Sequence, residues 1–72
     1  MRHYSVMFLL PGRTATVPSV GGFTLAHAVA QAFLVVTNGT FIALQSVKDL
    51  KPGASQTYGF PAHGVVIVTR LN

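Results

Sequence analysis

Hydrophobic positions in this chain fall into three patterns: continuous runs, strict alternation and helical spacing. Near the C-terminal end, Val65-Val66-Ile67-Val68 places four β-branched aliphatics in succession, followed by Thr69-Arg70-Leu71. A run with no polar alternation predicts a strand covered on both faces, in the interior of a sheet. Tyr4-Ser5-Val6-Met7-Phe8-Leu9-Leu10 is nearly as apolar on both faces. The two ends of the chain are therefore expected side by side as central strands, with the remainder wrapped outside them.

Between these runs the pattern changes repeatedly. Pro11-Gly12-Arg13 is a turn signal, because Pro presets φ and Gly accepts a positive φ after it. Thr14-Ala15-Thr16-Val17 alternates as a short edge strand does, and Pro18 is expected to end it. Ser19 to Phe23 reads as a flexible loop, and Thr24 as an N-cap whose hydroxyl accepts from the next turn. Leu25, Val29, Phe33 and Val36 follow helical spacing among helix-favouring alanines, predicting a helix from Leu25 to about Val35. Asn38-Gly39 suits its left-handed end. Thr40-Phe41-Ile42-Ala43-Leu44 predicts a third strand, with Gln45-Ser46-Val47 as an extension. Lys48 to Gly53 is a polar turn, Gln56 to Phe60 a short strand, and Pro61-Ala62-His63-Gly64 a turn into the last strand.

The order β-β-α-β-(β)-β predicts one α+β domain over residues 1–72: a mixed sheet of four or five strands with one helix on it. First and last strands are expected to be parallel neighbours, joined by a right-handed crossover. A small open β-barrel carrying one helix is the structural alternative. With its hairpin, the Thr24-Leu25-Ala26 helix opening, Asn38-Gly39 and Leu50-Lys51-Pro52-Gly53, the chain resembles the β-grasp (ubiquitin-like) domains, and the small sulfur carriers most of all. That resemblance implies the fold. It does not carry over carrier chemistry, because those carriers end in Gly-Gly whereas this chain stops at Leu71-Asn72.

Composition adds a second constraint. Half of the 72 residues are hydrophobic and only 8% are charged, which excludes intrinsic disorder. So few charges cover little of a small domain, so apolar surface is expected to be shared with a partner. Arg2, Arg13, Lys48, Lys51 and Arg70 face a single acid, Asp49. The resulting pI near 10.4 reflects missing acids, and the bases are spread from end to end instead of clustered. With no cysteine there is no disulfide, thiolate nucleophile or Cys-ligated zinc. The apolar run after Met1-Arg2-His3 is too short for a signal peptide, and Leu25 to Val36 is too short to span a bilayer. A soluble protein is expected, cytoplasmic or virion-associated, with no membrane partner.

Nothing in the chain specifies a reaction. Paired acid–base chemistry and carboxylate-bound Mg²⁺ both need a second acid, and Asp49 reads as a turn residue bonding nearby backbone N–H groups. His3, His27 and His63 lack metal-ligand spacing. Ser5, Ser19, Ser46 and Ser55 have no nucleophile context. Gly21-Gly22 lacks the phosphate-loop pattern, and Asn38-Gly39-Thr40, though it matches a glycosylation sequon, reads as a turn. No catalytic residue, cofactor or metal site is therefore expected.

The function expected is non-enzymatic: a structural or protein-interaction module packing into an oligomer or larger assembly, of the kind found among minor structural proteins of viral particles. Candidate partner-binding residues are His27 and Gln31 on the helix, Tyr58 and Phe60 in the short strand, and His63 at a loop tip. The alternative is a small nucleic-acid-binding module, with Arg2, Arg13, Lys48, Lys51 and Arg70 on phosphates and Tyr58 stacking. A β-grasp carrier is a second alternative, and needs a C-terminus ending in Gly-Gly.

Overall fold

The computed structural model describes residues 1–40, 42, 44, 47–60 and 64–72. Four strands, β1 (Arg2–Leu10), β2 (Arg13–Gly22), β3 (Ser55–Phe60) and β4 (Gly64–Arg70), form one sheet with a single helix, α1 (Leu25–Val36), packed on it. The strand order is β2-β1-β4-β3. Both central strands are thus the two apolar runs from the ends of the chain, as their composition predicts, and the α+β class holds.

Every pairing is antiparallel. This corrects the expected parallel pairing of first and last strands: β1 and β4 run in opposite directions, with Leu9 opposite Val65 and Tyr4 opposite Arg70. The cause lies in residues 37–54. Instead of delivering a strand straight from the helix end, they carry the chain back to the other end of the sheet. There Gly53 N–H donates to Arg70 O and Arg70 N–H to Ala54 O, so β3 leaves from beside the end of β4. β4 then pairs antiparallel with β3, Phe60 opposite Gly64, and so runs as its reverse.

Two further expectations change. β2 does not stop at Pro18 but continues to Gly22, absorbing the expected loop. Its register on β1 shifts between Tyr4 and Val6, which pair with Val20 and Val17. Pro18 and Ser19 occupy that bulge, where a missing N–H removes no ladder bond. The strand expected over Thr40–Leu44 is also absent from the described part of that segment. Phe41, Ala43, Gln45 and Ser46 lie outside the described residues, and Thr40, Ile42 and Leu44 belong to no strand. Ile42 is nevertheless buried and Leu44 packs against the core. At these two positions apolar character thus goes with burial outside any described strand.

The helix begins and ends as its sequence predicts. Thr24 Oγ1 accepts from His27 N–H at 3.0 Å, and Asn38 and Gly39 take positive φ just past the Thr37 cap. Leu25, Ala28, Val29, Ala32 and Phe33 form its buried face. They pack on Tyr4, Val6 and Phe8 of β1 and Val66 and Val68 of β4. Phe8 meets Phe33 edge-on, ring centres 5.3 Å apart, and Phe60 extends the cluster at 6.5 Å from Phe33.

Candidate interaction surface

Successive residues of a strand point to opposite faces, so the residues between the core positions form a second surface. Across the sheet, register aligns Thr16, Met7, Ile67 and Thr57 in one row, and Thr14, Leu9, Val65 and Gly59 in the next. A third row brings Ser5 beside Thr69 and Ser55, whose hydroxyls lie 2.7 Å apart. Met7, Leu9, Val65 and Ile67 make an apolar centre, bordered by threonine and serine. Met7 and Leu9 are 37% and 38% exposed, and Val65 and Ile67 are half-buried. The described residues outside the strands that pack on the core, Ile42, Leu44, Val47 and Leu50, belong to the helix side. The expectation that the last strand is covered on both faces is corrected: among the described residues one helix covers one face, and Val65 and Ile67 on the other stay half-buried.

The strand rows of that open face contain no Arg, Lys or Asp. Asp49 gathers three partners on the helix side: Arg70 Nη1 at 2.9 Å, Arg2 Nε at 3.2 Å, and the Tyr4 hydroxyl, which donates at 2.7 Å. Leu50 N–H donates to the same carboxylate, the turn contact its local sequence predicts. Partial burial alone would raise the Asp49 pKa. Hydrogen bonds from Tyr4 and Leu50 and the two guanidinium charges outweigh it, holding the carboxyl below its ordinary range. Burial, with the neighbouring carboxylate, raises the Tyr4 phenol. This cluster escaped the motif reading, although a lone acid among five bases is itself a signal that arginines will converge on it.

The remaining bases are placed as follows. Arg13 donates to Val36 O and closes the helix end, where a cation is favoured. Arg2 also donates to Phe23 O, and Arg70 to Leu50 O and Asn72 O. Lys48 and Lys51 have no side-chain hydrogen bond or ion pair among the described residues. Five cations expected to reach phosphates are thus divided: three arginines hold the fold and two lysines flank a loop.

His27 and Gln31 lie one turn apart on the helix, with their Nε2 atoms 3.3 Å apart. His27 Nδ1 accepts from Phe23 N–H, and its ring stacks on Phe23 with centres 5.7 Å apart. Phe23 is 73% exposed and Val35 74%, so this ridge carries apolar atoms, though in a narrower band than the open sheet face. Tyr58 and Phe60 point to the helix side. Tyr58 lines an open cleft of about 370 Å³ with Val47, Lys48, Asp49, Leu50 and Gln56, and burial with the Asp49 charge raises its pKa. His63 lies outside the described residues. The structure therefore brings together His27 with Gln31, and Lys48 with Tyr58, but does not unite these pairs in one site.

Among the described residues no helix is long and apolar enough to cross a membrane, and no three His, Asp or Glu side chains are grouped to hold a metal ion. Comparison with protein-family models, curated proteins and solved structures returned no match.

Proposed function

We propose that this chain is a non-catalytic interaction module that works inside an oligomer or larger assembly, with the open face of the sheet as its docking surface. The observation that carries this reading is the uncovered apolar centre of Met7, Leu9, Val65 and Ile67, with its uncharged Thr and Ser margin. Apolar surface of this kind on a small domain costs free energy in water and favours a partner that covers it. A particle shell, such as that of a virus, is the kind of assembly that the low charge and high apolar content favour. Element order and the central position of the terminal strands support a β-grasp-like reading of the architecture with its last strand reversed; no carrier chemistry follows from it.

The nucleic-acid alternative has less support, because Arg2, Arg13 and Arg70 are engaged within the fold. A salt titration separates the two. Phosphate-driven binding to a single-stranded oligonucleotide weakens steeply as salt rises, whereas apolar association persists. Self-association or partner binding that survives high salt is the expected result. Tight oligonucleotide binding that collapses with salt and depends on Lys48 and Lys51 would replace this reading.

A further inference from the structure

We infer that the occupant of the open sheet face is a second copy of this chain, the two sheets stacking face to face about a two-fold axis near Met7 and Ile67. This rests on the docking role proposed above and names its partner.

Charge is the first argument. The chain carries a formal charge of +4, which works against pairing of two copies wherever charged surfaces meet. On the open face they do not meet. The strand rows of that face carry no Arg, Lys or Asp, while Arg2, Arg13, Asp49 and Arg70 are tied into contacts on the helix side and Lys48 lines the cleft there. Stacking two open faces therefore turns both basic shells outward. An acidic partner finds no cation to pair with on this face, whereas another uncharged face of the same make-up matches it.

Shape agrees, and area sets the strength. A two-fold axis places each residue of one copy against the same patch of the other, so apolar centre meets apolar centre and threonine margin meets threonine margin. Stacked sheets lie about 10 Å apart, a spacing that side chains such as Met, Leu, Ile and Val fill from both sides. Four strands about 4.8 Å apart, paired over about six residues of 3.3 Å rise, give a footprint of roughly 400 Å². Two such faces, with their side-chain relief, remove about 800–1,000 Å² from water, less than stable specific complexes bury and within the range of weak, transient ones. The dimer is accordingly weak and concentration-dependent. Phe23 and Val35 on the helix ridge offer less continuous cover, and the ridge is interrupted by His27 and Gln31.

Sedimentation equilibrium of the full chain over about two decades of concentration tests this. The expected result is a monomer–dimer equilibrium little changed by salt. Because both copies carry each substitution, Met7→Lys or Ile67→Lys should weaken it by about 100-fold or more, leaving far-UV circular dichroism unchanged. Val35→Lys should leave it intact. Since the chain has no cysteine, Met7→Cys supplies a second readout: oxidation should join two chains through the axis, and Val35→Cys should not. A dimer that survives Met7→Lys and falls to Val35→Lys would overturn the stacked-sheet geometry while leaving the assembly role standing. A monomer at every concentration, with no salt-sensitive oligonucleotide binding, would overturn self-pairing alone. Salt-sensitive oligonucleotide binding by a monomer would remove the assembly role as well.

Discussion

The two faces of the sheet are made by the same strands from residues one position apart, and they differ in almost every physical respect. On the helix side, Tyr4, Val6, Phe8, Val66 and Val68 are fully buried, and the ion pairs of Asp49 with Arg2 and Arg70 and the Arg13 contact to Val36 O lie at its margin. On the other side, Met7, Leu9, Val65 and Ile67 are equally apolar but only partly covered, and no charge accompanies them. Hydrophobicity along a strand therefore does not report whether the same chain covers it. Here the helix encoded between Leu25 and Val36 buries one face of the central strands, and the residues of the other face stay partly exposed.

The sharpest way to break this comparison is to remove one buried residue. Phe8→Ala deletes the ring that meets Phe33 and should cost about 3–5 kcal/mol, enough to unfold much of so small a domain, as urea denaturation would show. Next in size is Gly64→Ala. Gly64 has φ +99°, and an added Cβ would clash with the Leu9 carbonyl oxygen, so the start of β4 must shift; a loss of about 3 kcal/mol in the same assay is expected.

Asp49→Asn ranks third, at about 1–2 kcal/mol, because the carboxylate is hydrogen-bonded and paired but still partly exposed. Its signature is pH dependence. The folded-state pKa is lowered, so the stabilisation is present above the unfolded value, about 3.9, and is lost as pH falls through the folded one. Thermal melts of the native chain should drop across that acid window. Those of Asp49→Asn should lack that component, and a variant melting curve with the native acid dependence would remove Asp49 from this role.

The smallest effect should come from the open face. Ile67→Thr, measured at concentrations that keep the chain monomeric, should change stability by only about 0.5 kcal/mol. A loss comparable to that of Phe8→Ala would show that this face is covered within the chain after all.

What could be read in the sequence follows the range of the interactions involved. The hairpin at Pro11-Gly12, the Thr24 cap and the Asn38-Gly39 helix end are local chemistry, and each stands where its residues predict. The central place of β1 and β4 was legible from composition, because only interior strands tolerate such runs. The direction of β4 was not. It depends on where the chain re-enters the sheet at Ser55, beside Thr69, which no local pattern states; Ile42 and Leu44 meanwhile serve burial outside any described strand. Pro18 misled in the opposite sense, because a bulge accommodates what a regular ladder excludes. The candidate surface was legible only as a surplus of apolar residues, since neither Thr16 nor Thr57 announces that it flanks Met7 and Ile67. The Asp49 cluster joins residues more than twenty positions apart, beyond any local pattern.

The pairing of β1 with β4 bears on how the molecule is made. Tyr4 meets Arg70 and Leu9 meets Val65, so β1 leaves the ribosome well before the strand it pairs with and waits for it. At typical elongation of about 5–20 residues per second, that interval is roughly 3–12 s. Throughout it, the leading hairpin and its helix must manage with one long edge of β1 unpaired. Solubility of this nascent piece, and not only of the finished domain, sets a limit on how apolar the opening strand can be.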